Sequence, residues 1–275
     1  MDKEVKKKLA RNWFSILQQI ICKDIEEIEK KKNIFQSNFW KRGIKGNEGG
    51  GESRIFKNGK VFEKVGVNFS EVYGNFSKEF RDRIPGTNKN PKFWASGISI
   101  VMHMQNPNVP AMHFNTRYIE TGHGWFGGGM DITPCKKNQV LEKWFHKELK
   151  KVCDQNNKNY YNNYKRWCDE YFYLPHRQEP RGIGGIFFDY KKENFEKDFH
   201  FVRDIGLLFK KVFREIILKT NSKKWSKKDK EQQYFKRGRY VEFNLLHDRG
   251  TKFGLQTGGN VESILMSLPP IAKWK

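Results

Sequence analysis

The stretch Ile98-Ser-Ile-Val-Met-His103, followed after a short connection by Met112-His-Phe-Asn-Thr-Arg-Tyr-Ile119, decides the fold. In both segments the apolar side chains fall mainly on alternate positions, which is the period of a β-strand whose two faces have different surroundings. The connection Asn106-Pro107-Asn108-Val109-Pro110 holds two prolines, which interrupt strand pairing and favour turns. We therefore predict an antiparallel hairpin within Ala95–Glu120, with one face largely apolar.

The other face of this hairpin carries a distinctive set of polar side chains. Ser99 and His103 share it on the first arm, and His113, Asn115 and Arg117 share it on the second. A solvated face would tend to show Lys, Glu and Thr, whereas these residue types bind anions, hold metals and transfer protons. The pairing register decides whether the two polar rows coincide. The alternative is an exposed edge hairpin whose polar residues bind nothing.

The remaining sequence divides into predicted strands and predicted helices. Helices are predicted at 3–32, 137–156, 160–172, 195–219, 227–237 and 261–268, and strands at 66–72, 124–133, 182–190 and 239–248. Residues 43–52 are predicted as a loop, and 54–63 as a second hairpin around Asn58-Gly59, a dipeptide that favours two-residue turns.

The grouping of these elements indicates the fold class. Strands occur in hairpins and helices in separate blocks, which favours an α+β fold over a βαβ nucleotide fold. We predict a single domain, residues 1–275, with a large mainly antiparallel β-sheet flanked by helices on both sides. Whether the N-terminal helix, residues 1–32, lies at the periphery is left open.

The composition limits the classes of partner. The 275 residues carry a formal net charge of +22, which attracts nucleic acid, an acidic membrane surface or a polycarboxylate substrate, although a lysine-rich composition alone also produces it. No RRM, KH, zinc-finger or helix-turn-helix motif is present, so no nucleic-acid partner is expected. No apolar run approaches the ~20 residues of a membrane span. The four cysteines match no zinc or iron–sulfur spacing, which indicates thiols in a reducing compartment.

Two glycine-rich segments could lie beside a ligand. Gly124-Trp-Phe-Gly-Gly-Gly-Met-Asp131 lets the backbone approach a flat ligand closely, and it places Asp131 near aromatic side chains that could shift the pKa of its carboxyl. Thr257-Gly258-Gly259-Asn260 offers backbone N–H groups to a carboxylate. Ordinary glycine turns explain both segments about as well. His146 and His176 could join the strand histidines at a metal, but their spacing matches no local ligand motif.

In this order, the segments resemble one family over most of the chain, the oxygen-dependent coproporphyrinogen III oxidases. The motifs are Gly49–Arg54, Val61–Ser70, Ala95–Ser99 with His103, Asn106-Pro107, His113–Arg117, Trp125–Pro134, Arg181–Asp189, Arg237–Thr251 and Glu262–Pro269. Each motif alone is modest evidence, whereas the ordered set is very specific. The resemblance implies a homodimer that converts two propionates of coproporphyrinogen III to vinyl groups in haem biosynthesis. It implies molecular oxygen as co-substrate and no organic cofactor, and it leaves a divalent metal disputed.

The resemblance also implies roles for individual residues. Substrate contacts fall on Ser99, Asn115, Thr116, Arg117, Gly258, Gly259 and Asn260. The disputed metal ligands are His103, His113, His146 and His176. The catalytic set is His113 as proton donor, with Asp131 and Arg117 handling a pyrrole N–H and a propionate. As a hypothesis, Asp131 deprotonates or hydrogen-bonds a pyrrole N–H, while Arg117 orients one propionate through bidentate contacts.

Some positions depart from the family pattern. Asn260 stands where arginine is common, so one carboxylate contact is missing, and Met104, Gly124 and Cys135 also differ. None of these changes removes a proposed catalytic residue, which argues against a degenerate homologue. The anaerobic route to the same product needs an iron–sulfur cluster on closely spaced cysteines, and these are absent. With no transit peptide in the sequence, we expect a cytoplasmic, bacterial protein, and a processed organellar form is the alternative.

Overall fold

The predicted hairpin is the centre of the structure. In the computed structural model, which describes residues 1–76, 86–87, 90–256 and 258–274, strand β4 (Lys92–Met104) pairs with strand β5 (Ala111–Glu120). The register sets Ser99 opposite Asn115, so the two polar rows share one face of the sheet. The hairpin prediction is therefore confirmed.

A seven-stranded sheet is built outward from this hairpin. Its other strands are β1 (Gln36–Lys41), β2 (Gly49–Lys57), β3 (Phe62–Asn75), β6 (Gly124–Thr133) and β9 (Gly185–Lys191), and a separate pair is formed by β7 (Tyr173–Leu174) and β8 (Glu179–Pro180). The order in the large sheet is β1-β2-β3-β4-β5-β6-β9, and every neighbouring pair is antiparallel. This confirms the predicted α+β class with a large antiparallel sheet.

The β2–β3 hairpin differs in detail from its prediction. Residues 49–52, expected in a loop, already belong to β2, where a Cβ at Gly51 would lie only 2.2 Å from the carbonyl oxygen of Phe69. At the tip, Asn58 has a positive φ of 59°. The buried carboxylate of Glu29 accepts hydrogen bonds from the backbone N–H groups of Val61 and Phe62, at 2.9 and 2.8 Å. The glycine run thus serves close strand packing, and a helix residue stabilises the hairpin loop.

One face of the sheet forms the main core. It is covered by α1 (Lys3–Glu29), α2 (Gln139–Asn156) and α4 (Phe195–Thr220). Phe14 and Leu17 of α1 are fully buried, and Phe114 of β5 stacks on Phe209 of α4 with ring centroids 4.9 Å apart. Each such side chain contributes roughly 1.5–3 kcal/mol on burial. The N-terminal helix is therefore part of this core.

The opposite face of the sheet is overhung by the C-terminal helices. These are α5 (Lys227–Leu246), α6 (Arg249–Gln256) and α7 (Val261–Leu265), while α3 (Tyr160–Tyr171) packs beside β9. The strand predicted at 239–248 is wrong, because α5 continues to Leu246. The inward-facing residues Arg237, Tyr240 and Asn244 follow helical spacing, whereas the alternation seen in the sequence was accidental.

Hydrogen bonds attach the C-terminal segment to the sheet. The Ser53 and Ser263 hydroxyl oxygens lie 2.6 Å apart, and the Lys64 ammonium donates to the carbonyl of Leu268 at 2.6 Å. These contacts hold α7 and the segment after it over the sheet, and α6 packs against α7, which leaves a space above the polar face of β4 and β5. Within the described ranges, the helices are all too short or too polar to cross a lipid bilayer.

Candidate active site

The space between the sheet and the C-terminal helices is a cavity of about 600 Å³. This volume lies within the usual range for small-molecule sites, about 300–1,000 Å³. Its floor is the polar face of β4 and β5, its roof includes α6 and α7, and its walls carry aromatic rings such as Trp125, Phe172 and Phe187. A flat apolar ring system with charged substituents fits this combination of surfaces.

Of the five polar residues predicted on this face of the hairpin, four come together in the cavity, while His103 is buried outside it. Ser99, His113, Asn115 and Arg117 all border it. Alternation places Thr116 on the opposite face, where its side chain is buried, although the residue still borders the cavity. The sequence pattern therefore located the floor of the site.

A chain of three ionisable groups leads from the cavity into the protein. His113 on β5 lies opposite Asp131 on β6, and its Nδ1 is 2.7 Å from Asp131 Oδ1. The other carboxylate oxygen accepts a hydrogen bond from the Arg181 guanidinium. The side chain of His113 is 16% exposed and that of Asp131 only 2%. His113 is thus the member of the His113–Asp131 pair that faces the cavity.

Charge balance keeps Asp131 ionised. Burial by itself would raise the pKa of the Asp131 carboxyl, but the Arg181 guanidinium and the hydrogen bond with His113 outweigh burial and lower that pKa. An ionised carboxylate accepts hydrogen bonds only, so the ring of His113 carries its proton on Nδ1. Its Nε2, 3.2 Å from Asn115 Nδ2, is then the acceptor on the cavity side.

Arg181 is a residue to which the sequence assigned no role. Its side chain is almost fully buried, and its guanidinium carbon lies 4.0 Å from the ring centroid of Phe172 and 4.6 Å from that of Tyr240. An arginine is rarely buried without a charged partner. Its position just before a predicted buried strand indicates a carboxylate partner nearby, but no sequence pattern identifies that partner.

Asp189, on β9, was also missed. Its Oδ2 lies 2.6 Å from Arg117 Nη2, and both residues border the cavity. The partner of Arg117 is therefore this carboxylate. The strand was predicted, but the contact depends on how β9 pairs with β6, which no local pattern specifies.

The C-terminal turn contributes a different set of groups. Gly259 and Asn260 border the cavity, and Gly258 adopts a positive φ of 71°, while Thr257 lies outside the described residues. Asn260 Oδ1 accepts a hydrogen bond from the N–H of Ser263 at 2.9 Å and so caps α7. Arg249, which the sequence did not single out, also borders the cavity and lies over the ring of Tyr171 at 5.3 Å.

The four predicted metal-binding histidines have separate environments. His103 Nε2 donates to the carbonyl of Ser267 at 2.9 Å, His146 Nε2 donates to that of Ile183 at 3.0 Å, and His176 Nε2 donates to Glu242 at 2.8 Å. Over the part of the chain that the structure describes, no three His, Cys, Asp or Glu side chains are grouped as a metal site. The structure therefore does not bring these histidines, with His113, into one ligand set.

Comparison with known proteins identifies close relatives. The family model for coproporphyrinogen III oxidase matches residues 10–275. The oxygen-dependent coproporphyrinogen-III oxidase of Rickettsia akari (strain Hartford) is 50% identical over 273 residues, which is 98% of each chain. The enzymes of the same description from Rickettsia bellii (strain RML369-C) and Rickettsia rickettsii (strain Iowa) are also 50% identical, again over 98% of each chain.

Proposed function

Because the chain belongs to the coproporphyrinogen III oxidase family, we propose that it catalyses the oxygen-dependent conversion of coproporphyrinogen III to protoporphyrinogen IX in haem biosynthesis. Two propionates become vinyl groups. In each propionate two bonds break: a C–H bond of the ring-attached carbon, and the bond between the second methylene carbon and the carboxyl carbon. A C=C bond and carbon dioxide form, and dioxygen is reduced to hydrogen peroxide. Dioxygen is thus the oxidant, and no organic cofactor takes part.

The observation that carries this proposal is Arg117 in an aromatic-walled cavity, two positions along the strand face from Asn115 and four from His113. The substrate has four propionates and a large apolar ring system. A guanidinium can hold one carboxylate through two hydrogen bonds and so fix which propionate reacts. Fixing the reacting C–H bond relative to the oxidant is the main requirement of a reaction with a reactive oxygen species.

His113 exchanges the proton with the substrate. Its Nε2 accepts from the Asn115 amide, and when that amide turns to the substrate, Nε2 is free to accept a proton from a pyrrole N–H and later return it. Asp131 acts through His113 by holding the ring orientation and stabilising the imidazolium that forms, since both carboxylate oxygens are bonded inside the protein. This assigns to Asp131 a positioning role in place of the direct contact with the pyrrole that the sequence hypothesis gave it.

The other substrate contacts follow from the lining of the cavity. We assign them to Ser99, Asn115, Thr116, Gly259 and Asn260, which border it, and to Gly258, which precedes Gly259 in the C-terminal turn. The proposal contains no metal-dependent step, because His103, His113, His146 and His176 do not converge on one point.

The proposal extends to assembly and location. We propose a homodimer, supported by exposed apolar side chains in the C-terminal region, including Leu246, Val261 and Trp274. The four cysteines are free thiols, which suits a bacterial cytoplasm. Sedimentation equilibrium is expected to give twice the chain mass of 32.7 kDa, and a mass of one chain at micromolar concentration would remove the dimer.

The activity can be tested directly. Chelator-treated protein is incubated with coproporphyrinogen III with and without oxygen, and the oxidised product is measured by fluorescence. We expect conversion only with oxygen, and a folded His113→Asn variant should turn over roughly 10²–10⁴-fold more slowly. No conversion by the unmodified protein would refute the function, and near-normal turnover by the variant would remove His113 from the mechanism.

A further inference from the structure

We propose that Asp189 contacts the substrate, accepting a hydrogen bond from a pyrrole N–H while it holds Arg117 beside the propionate of the same pyrrole. The inference rests on the proposed function and deepens it. It concerns a carboxylate that lies in the cavity itself, unlike Asp131, which lies behind His113.

Strand alternation places Asp189 in the cavity: Phe187 also borders the cavity, while Phe188 between them is buried in the core, and a β-bulge follows. The pairing of β6 with β9 shifts by one residue between Phe126↔Lys191 and Gly128↔Phe188. Tyr190 takes up the extra residue with a positive φ of 53°. In a regular strand, neighbouring side chains point to opposite faces, but here Asp189 and Tyr190 both border the cavity. Bulges are frequent beside active sites because they redirect a side chain in this way.

The first glycine of the three-glycine run makes room for the pair. A Cβ at Gly127 would lie 2.4 Å from Asp189 Oδ1 and 3.0 Å from Arg117 Nη2. No real side chain tolerates the shorter contact, so any larger residue would displace the carboxylate from the guanidinium. The glycine-rich strand thus gives Arg117 and Asp189 the room to pair.

The pair has the charges that a pyrrole with a propionate requires. The N–H of the pyrrole is a donor and needs an acceptor, whereas the propionate is an acceptor and needs a donor. Arg117 and Asp189 supply one of each at 2.6 Å, and their side chains keep exposed fractions of 34% and 16%. Asp248 is another carboxylate that borders the cavity, but both of its oxygens already accept hydrogen bonds within the protein. One accepts from the Tyr171 hydroxyl, and the other accepts from the Thr251 N–H and so caps α6.

The test uses two ligands that respond in opposite directions. Tricarballylate, a tricarboxylate without N–H groups, competes for Arg117 but gains nothing from Asp189. In Asp189→Asn, we expect KM for coproporphyrinogen III to rise roughly 10- to 150-fold, the value of a hydrogen bond to a charged group. Inhibition or direct binding by tricarballylate should become several-fold tighter, because a negative charge beside Arg117 has been removed.

Controls separate this inference from a loss of structure. Asp169→Asn changes an exposed carboxylate paired with Lys165 on α3 and should alter neither ligand. If Asp189→Asn is poorly soluble, Asp189→Ser removes the same charge. Weaker binding of both ligands, or unchanged binding of both, would overturn the role of Asp189. Failure of the unmodified protein to convert the substrate refutes the proposed function instead, and tricarballylate binding still reports on the pair.

Discussion

The buried pair of Arg181 and Asp131 gives a prediction of stability whose size can be worked out. Their side chains are 1% and 2% exposed. Two unit charges 4 Å apart attract by ~4 kcal/mol at an effective dielectric constant of about 20. In Asp131→Asn, the guanidinium keeps its hydrogen bond to Asn244 but loses its counter-charge. Removing one partner of a buried pair typically costs 3–5 kcal/mol, so we expect a loss of about that size in the free energy of unfolding.

The assay is urea unfolding at pH 7, followed by tryptophan fluorescence. The matched control is Asp169→Asn, because the pair of the exposed Asp169 with Lys165 on α3 is worth only about 0.3–0.5 kcal/mol. Adding Arg181→Met to Asp131→Asn should recover much of the loss, since no unpaired charge is then left buried. A loss below about 1 kcal/mol in Asp131→Asn would refute the claim that this carboxylate neutralises Arg181.

The sign of the pH dependence follows from the same pair. The pKa of Asp131 is lower in the folded protein than its ordinary value near 4. The unfolded chain therefore takes up the proton first as the pH falls. The stabilisation is complete above the ordinary pKa and is lost as the pH drops through the folded pKa. The difference between the protein and Asp131→Asn should accordingly shrink in acid.

Two further predictions concern buried groups outside the cavity. Burial, with a contribution from Arg237, lowers the pKa of His103 to about 3. As the pH falls below ~6.5 toward that value, only the unfolded state binds this proton. The free energy of unfolding therefore falls by up to ~1.4 kcal/mol for each pH unit in this range. Urea midpoints at pH 7, 6 and 5 should show a shallower fall in His103→Gln, and identical slopes would contradict the assignment. Glu29→Gln replaces a carboxylate that accepts backbone hydrogen bonds from the β2–β3 loop and should cost roughly 1.5–3 kcal/mol. Hydrogen exchange at Val61 should then become faster, and unchanged exchange would show that the carboxylate does not hold the loop.

The hairpin could be predicted from sequence because burial imposes a period that the chain must obey. Ile98, Ile100 and Met102 face the core, so the polar residues between them had to share the other face. The register was not encoded locally, yet the short turn after β4 limited it enough for the polar rows to coincide. The floor of the site could therefore be predicted from the sequence alone.

The sequence patterns did not identify site residues whose partners lie far along the chain. Arg181 and Asp189 belong to the site through the pairing of β9 with β6, about 50 to 70 residues from their partners Asp131 and Arg117. The end of α5 was mistaken for a strand because its alternating pattern satisfied a period of two by chance, whereas packing of Tyr240 and Asn244 follows the helix. Local periodicity shows which face is buried, but it does not identify a distant partner.

The attachment of the C-terminal segment to the sheet has a consequence for biosynthesis. The floor of the cavity comes from residues 92–120 and its roof from residues after 248, joined by contacts such as that between Ser53 and Ser263. A ribosome must therefore make the chain beyond residue 248 before any tetrapyrrole can be enclosed. The segment after residue 248 completes the binding site, so a nascent chain that lacks this segment leaves the site open on one side.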